Sequence, residues 1–327
     1  MAQIVLGLGT SHSPQLSTPP EIWPQHGERD RRNPDLRGPD GRVYGYEELL
    51  ARAASAVQKE LTPDVWQARY DACQRGIARL AEVLEQVAPD VLVIVGDDQK
   101  ELFHDDNMPA LLVYWGDTIR NVPQYGHNSP TPGLQAAAWA YGTTTQDYPV
   151  ASDLARHIID AFIDQDIDVA HSRGMPPEQG MGHAFSFIYG RIMPSKVIPT
   201  VPIMLNTYYP PNQPTPRRCY AIGQALQQAV ASWPGERRVA VIASGGLSHF
   251  VIDEELDQQI ITAMQHHDAA TLASLPRERL NSGNSEIRNW ITTAGAVEHL
   301  EMELFDYVPC YRSPAGTGCA MTFAQWT

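Results

Sequence analysis

Apolar residues recur along the chain in runs of strand length, at 3–9, 91–96, 110–115, 168–172, 197–204, 238–244 and 318–324. Most of these runs are rich in Val, Ile or Leu and nearly free of charge, as expected of strands buried on both faces. Between them, apolar positions take helical spacing at about 65–88, 151–165, 215–232, 253–274 and 285–299. Strands alternating with helices predict a single α/β domain over residues 1–327, with a mixed, mostly parallel central sheet flanked by helices. No internal repeat or domain linker interrupts the alternation.

Two segments depart from it. Residues 13–60 carry Ser17-Thr18-Pro19-Pro20, then Glu28-Arg29-Asp30-Arg31-Arg32-Asn33, then Gly38-Pro39-Asp40-Gly41. Turn formers beside a mixed-charge run fit an exposed, solvated loop. A long irregular stretch in a compact domain also fits a lid over a site or an arm reaching to a second subunit. The stretch 116–149, which holds His127, is irregular too, and Tyr208-Tyr209-Pro210-Pro211 reads as a rigid loop after the 197–204 strand.

Composition narrows the function classes. Hydrophobic residues make up 43% of the 327 and charged residues 19%, enough for a large core and unlike a disordered chain. A net charge of -14 argues against a nucleic-acid partner, which calls for a basic patch. Cys73, Cys219, Cys310 and Cys319 form no CxxC pair, consistent with a reducing cytoplasm. The start, Met1-Ala2-Gln3, lacks the basic and apolar regions of a signal peptide, and no apolar run approaches the roughly 18 residues of a membrane span.

Three of the eleven histidines stand in contexts that suggest one site. His12 follows the 3–9 run in Gly9-Thr10-Ser11-His12-Ser13-Pro14. His249 follows the 238–244 run in Gly245-Gly246-Leu247-Ser248-His249, and His183 lies in Gly180-Met181-Gly182-His183. Open α/β sheets bind ligands at the carboxyl ends of their strands. An imidazole placed there can bind a metal or move a proton near neutral pH. Sites of two histidines and one carboxylate leave positions open on Fe(II). Glu286, in Ser285-Glu286-Ile287-Arg288-Asn289-Trp290, is the candidate carboxylate, although an acidic residue in a first helical turn also reads as ordinary capping.

These motifs, in this order, resemble the class III extradiol ring-cleavage dioxygenases, typified by the catalytic beta subunit of protocatechuate 4,5-dioxygenase. The resemblance also rests on Asp97-Asp98-Gln99 leading to Met108-Pro109, on the run from Val197 to His249, and on Pro314-Ala315-Gly316-Thr317-Gly318-Cys319-Ala320-Met321. It covers about 90–325 and the first fourteen residues, so that 15–60 looks like an insertion. It implies Fe(II) as cofactor, an aromatic diol and dioxygen as substrates, His12 and Glu286 as metal ligands, and His183 and His249 as the histidines that handle protons and orient substrate and oxygen. It also implies a dimer, here a homodimer active without a second subunit.

One departure matters. The family's second ligand histidine follows an aspartate ten residues before the proline, and counting back from Pro109 reaches Gln99. An amide is a neutral and weaker donor than an imidazole nitrogen. Either Gln99 binds the metal through its carbonyl, or His104 or Asp98 replaces it, or the metal is lost and the pocket reused. The departure keeps open another metal-dependent enzyme on the same scaffold, a hydrolase, a lyase or a dioxygenase of non-catechol substrates. A non-catalytic binding protein is the third reading, against which the retention of His12, His183, His249 and Glu286 argues.

Overall fold

The computed structural model describes residues 1–123, 142 and 144–327; His127 and much of the 116–149 stretch lie outside the described residues. In chain order the strands are β1 (Gln3–Thr10), β2 (Leu36–Arg37), β3 (Val43–Tyr44), β4 (Val91–Asp97), β5 (Leu111–Tyr114), β6 (Thr118–Asn121), β7 (Gln146–Pro149), β8 (Ala170–Ser172), β9 (Thr200–Leu205), β10 (Arg238–Ser244), β11 (His249–Val251), β12 (Met302–Tyr311) and β13 (Thr317–Trp326). The main sheet runs β11-β13-β1-β10-β4-β9-β5-β8, with β12 also on β13. Its centre, β1-β10-β4-β9, is parallel, while β13 and β5 join it antiparallel. The predicted mixed α/β fold is the observed one.

Alternation along the central strands explains the two layers that cover them. Val91, Val93 and Val95 of β4 face a core shared with the helices Ser152–Asp164, Pro216–Ser232, Glu254–Gln265 and Ile287–Ala296. Leu92 and Ile94 face the opposite core, beneath the helix Pro63–Val87. That helix starts where Thr62 caps Val65 N–H and Pro63 presets the first turn, and it stops where Ala88 turns left-handed at φ 46°.

The structure adds strands that the apolar runs do not announce, β12, β11 and the β6–β7 pair, and it differs from the sequence reading in two further places. The 253–274 helix is two helices, Glu254–Gln265 and Ala269–Ser274. His267 turns left-handed at φ 52°, and the Asp268 side chain caps the second helix at Thr271 N–H. The 13–60 segment is not an exposed loop. It folds into the helices Trp23–Asp30 and Tyr46–Arg52, short 3₁₀ turns and the β2–β3 ribbon. Trp23 and Leu36 are fully buried, and Leu36, Tyr44, Tyr46 and Leu49 share a small core with Val251 and Ala315. Apolar partners more than 200 residues away in sequence thus hold down a stretch whose local chemistry reads as turn and charge.

Candidate metal centre

Three parallel strands deliver the site's inner groups at their carboxyl ends. His12 stands two residues past β1, Asp97 ends β4 with Gln99 two residues on, and Ser244 ends β10. After Ser244 the chain turns through Gly245 at φ 153°, a conformation that favours glycine, and reaches His249 at the start of β11. Glu286 closes the 3₁₀ turn Ser282–Glu286 just before the helix Ile287–Ala296. That helix docks because the Trp290 ring lies over Gly9, where a Cβ would come within 2.3 Å of it, and because Trp290 Nε1–H donates to Gly245 O at 2.8 Å. Buried Arg288 pins the same turn, donating to Pro214 O at 2.8 Å and Leu280 O at 2.6 Å.

Hydrogen bonds fix the His12 tautomer. Ser244 Oγ–H donates to Ala184 O at 2.6 Å, so the same oxygen accepts from His12 Nδ1–H at 3.0 Å. The lone pair of His12 then sits on Nε2, a buried atom with no hydrogen-bond partner in the structure. It faces Glu286 Oε2 at 3.4 Å. Burial holds His12 below its ordinary pKa despite the nearby carboxylate, which keeps the ring neutral. Burial would raise the Glu286 carboxyl, but the His249 and His12 imidazoles outweigh it and hold the group well below the usual range. A neutral imidazole nitrogen and a carboxylate, both acceptors, thus face one another across a gap that suits a divalent cation. The donor set fits a bound metal.

Asp97 joins them. One donor atom each from His12, Asp97 and Glu286 lie within 4.8 Å of one another, and all three residues are buried. Burial and the neighbouring Glu286 push the Asp97 carboxyl well above its usual range. Sequence reasoning missed this residue, though a signal existed: side chains two apart along an extended strand end share a face, and the residue between them points away. If Gln99 faces the site, so does Asp97, and Asp98 does not. The Asp98 carboxylate instead accepts N–H groups of Glu101, Leu102 and Phe103 at 3.0–3.2 Å and so anchors the turn after β4. His104 is exposed on that turn. Gln99 does reach the site, where its Nε2–H donates to Glu286 Oε1 at 3.1 Å.

The remaining histidines flank this cluster. His249 gives Nδ1–H to Leu247 O at 2.8 Å and turns Nε2 towards Glu286 Oε1 at 3.3 Å. Burial lowers its pKa, but Glu286 and the Leu247 carbonyl reverse the sign, so the net shift is upward. His183 opens the helix His183–Phe187, and its ring meets His12 edge-on with centroids 4.6 Å apart. Glu101 Oε1 accepts both its backbone N–H, at 3.0 Å, and its Nδ1–H, at 2.8 Å. That carboxylate outweighs burial and lifts the His183 pKa to about 9.

His12, Gln99, Glu101, His183, His249 and Glu286 line one cavity of about 470 Å³, which Asp97 does not reach. Its outer wall comes from the 13–60 segment, through His26, Arg29, Asp30, Arg32, Asn33 and Pro34, together with Tyr208, Phe250 and Arg312. Arg312, buried in that wall, pairs bidentately with Asp30 at 2.8 Å and also donates to Gln15 Oε1 at 3.1 Å. The 13–60 segment, for which the sequence also fits a lid over a site, thus forms much of the wall, whereas nothing in the sequence marks Tyr208, read as part of a rigid loop, as lining it.

The chain is similar to a 2,3-dihydroxyphenylpropionate/2,3-dihydroxicinnamic acid 1,2-dioxygenase of Comamonas testosteroni, at 27% identity over 64% of this chain and 57% of that protein. It is similar to a gallate dioxygenase of Pseudomonas putida, at 28% identity over 44% of this chain and 45% of that protein. A third relative, from Mycobacterium sp. strain MCS and named like the first, is 34% identical over 53% of this chain and 48% of its own length. The chain thus spans about half the length of such relatives. Residues 56–316 match the model of the family described as the catalytic LigB subunit of aromatic ring-opening dioxygenase, and the chain belongs to that family.

Proposed function

We propose that the protein is an Fe(II)-dependent extradiol dioxygenase that opens the ring of a catechol-type substrate beside its diol. The observation that carries this reading is the unpartnered, buried Nε2 of His12 facing Glu286 at the inner end of the cavity, in a chain of this family. His12 and Glu286 would hold the metal, which when bound would lower the pKa of the diol hydroxyls as a Lewis acid and pass electrons from the diol to dioxygen.

The chain's own residues do the rest. His249 serves as acid and base: with Nδ1–H committed to Leu247 O, its Nε2 takes a proton from the diol and returns it later. Its upward-shifted pKa suits a group that both accepts and gives a proton near neutrality. His183, held by Glu101 in one orientation, orients the substrate and supplies the second proton site. Tyr208 and Phe250 give the cavity aromatic faces for a planar ring. The 15–60 segment acts as a fixed wall over the site. The cytoplasm suits its free, buried cysteines, and the working unit in this reading is a homodimer without a second kind of subunit.

The test is anaerobic purification with metal analysis, followed by a panel of catechols monitored for oxygen uptake and yellow ring-opened product. Near-stoichiometric iron and turnover on at least one catechol are expected. Bound metal with no oxygen uptake on any catechol would move the protein to other chemistry on the same scaffold, and absence of metal affinity would defeat the metal reading.

A further inference from the structure

The inner cluster holds more acceptors than two ligands account for. Asp97 and Glu286 are both carboxylates, both buried, and both close to a neutral imidazole nitrogen that has no partner. Neighbouring donors satisfy only part of this set. Asn289 Nδ2–H donates to Asp97 Oδ1 at 3.1 Å, and Gly246 N–H to Glu286 Oε2 at 2.7 Å. The Gln99 amide nitrogen spans the two carboxylates, at 3.1 Å from Glu286 Oε1 and 3.5 Å from Asp97 Oδ2. An amide oxygen in that place would face two carboxylate oxygens, so the arrangement favours Gln99 as a donor. Two buried carboxyl groups this close cannot both carry charge without cost, and a divalent cation among them and His12 Nε2 offsets that cost.

We propose that Asp97, and not Gln99, is the third protein ligand. The metal site is then one imidazole and two carboxylates, with Gln99 holding both carboxylates from outside. The assignment rests on the reading that this cavity binds a divalent metal. It goes further by naming a donor set in which carboxylate replaces an imidazole. Such a set is harder, and its two negative charges balance those of the ion, so it favours oxygen-seeking metals such as Mn(II) more than a two-imidazole set does.

The experiment uses the full chain, stripped of metal anaerobically and titrated with Mn(II) followed by electron paramagnetic resonance, and with Fe(II) by calorimetry. Asp97→Asn should weaken Mn(II) by more than about 100-fold, beyond the roughly 10–100-fold that loss of an outer hydrogen-bonding partner costs. Gln99→Ala should stay within that smaller range. Metal-free Asp97→Asn should unfold near the temperature of the parent, since the amide keeps the shape of the carboxyl and its oxygen can still accept from Asn289 Nδ2–H. A variant that merely misfolds would unfold lower. Independently of any variant, nitrogen modulation of Mn(II) bound to the parent chain should report one imidazole. Asp97→Asn binding like the parent while Gln99→Ala loses the ion, or two imidazoles on the bound Mn(II), overturns the Asp97 assignment alone. A parent chain that binds neither ion overturns both the assignment and the metal reading beneath it.

Discussion

The two ends of the cavity are built in different ways. At the inner end, every group hangs from the last residues of a parallel strand or from a turn docked on those strands, and hydrogen bonds set its direction. At the outer end, most of the wall comes from the 13–60 segment and is closed by the Asp30–Arg312 pair, which joins residues 282 apart in sequence. The inner end depends on short motifs at rigid positions, and the outer end on long-range packing. Chemistry and selectivity are therefore separable here, and mutations at one end should leave the other intact.

The largest effects belong to the inner end. His12→Ala should abolish metal binding and turnover together. His249→Ala and His183→Ala should keep the metal and lower kcat by roughly 10²–10⁴-fold, the range for general acid–base work. Metal analysis beside steady-state rates checks the split, and iron loss in His249→Ala equal to that in His12→Ala would show that His249 is a ligand.

Next in size is the wall. Asp30→Ala leaves the Arg312 guanidinium buried without its counter-charge, at a cost of about 3–5 kcal/mol of folding stability. Denaturant unfolding should show that loss, while Fe(II) affinity per folded molecule stays near the parent value. A proportional fall in intrinsic metal affinity would erase the distinction between the two ends.

A smaller effect concerns pH. The His183 pKa is raised by Glu101 from 6.5 to about 9, so the folded state binds this proton more tightly than the unfolded chain. The stability gained is complete below about 6.5 and lost as pH rises through about 9. Metal-free protein should therefore lose thermal stability across that window, and Glu101→Gln should flatten the fall. Smallest of all, Arg32 is exposed at the cavity mouth, so Arg32→Ala should raise KM only a few-fold for catechols bearing a carboxylate. That difference should shrink further in salt, with neutral catechols unaffected.

The same division governs what the sequence discloses. β1, β4 and β10 are legible because strands buried on both faces must be continuous apolar runs, and the residues just past them are then natural site candidates. His12, Gln99, His183, His249 and Glu286 come together as those positions suggest. Asp97 is hidden because it ends the apolar run and sits beside an Asp98 that attracts attention, although period-two alternation separates them. Glu286 resembles a helix cap, yet it makes no capping bond to its own helix and turns to Gly246 and the histidines. The wall is legible only as one of several readings, a lid over a site, because contacts that no local pattern encodes set its fold: Leu36, Tyr44 and Leu49 are buried by Val251 and Ala315.

The Ser244 hydroxyl has a further consequence. It has one hydrogen, given to the carbonyl of Ala184 in the first turn of the helix that carries His183, and its oxygen receives the His12 ring. The serine thus joins two separate elements: through one oxygen atom the placement of the helix that carries His183 and the orientation of the His12 ring that faces Glu286 are tied to one another.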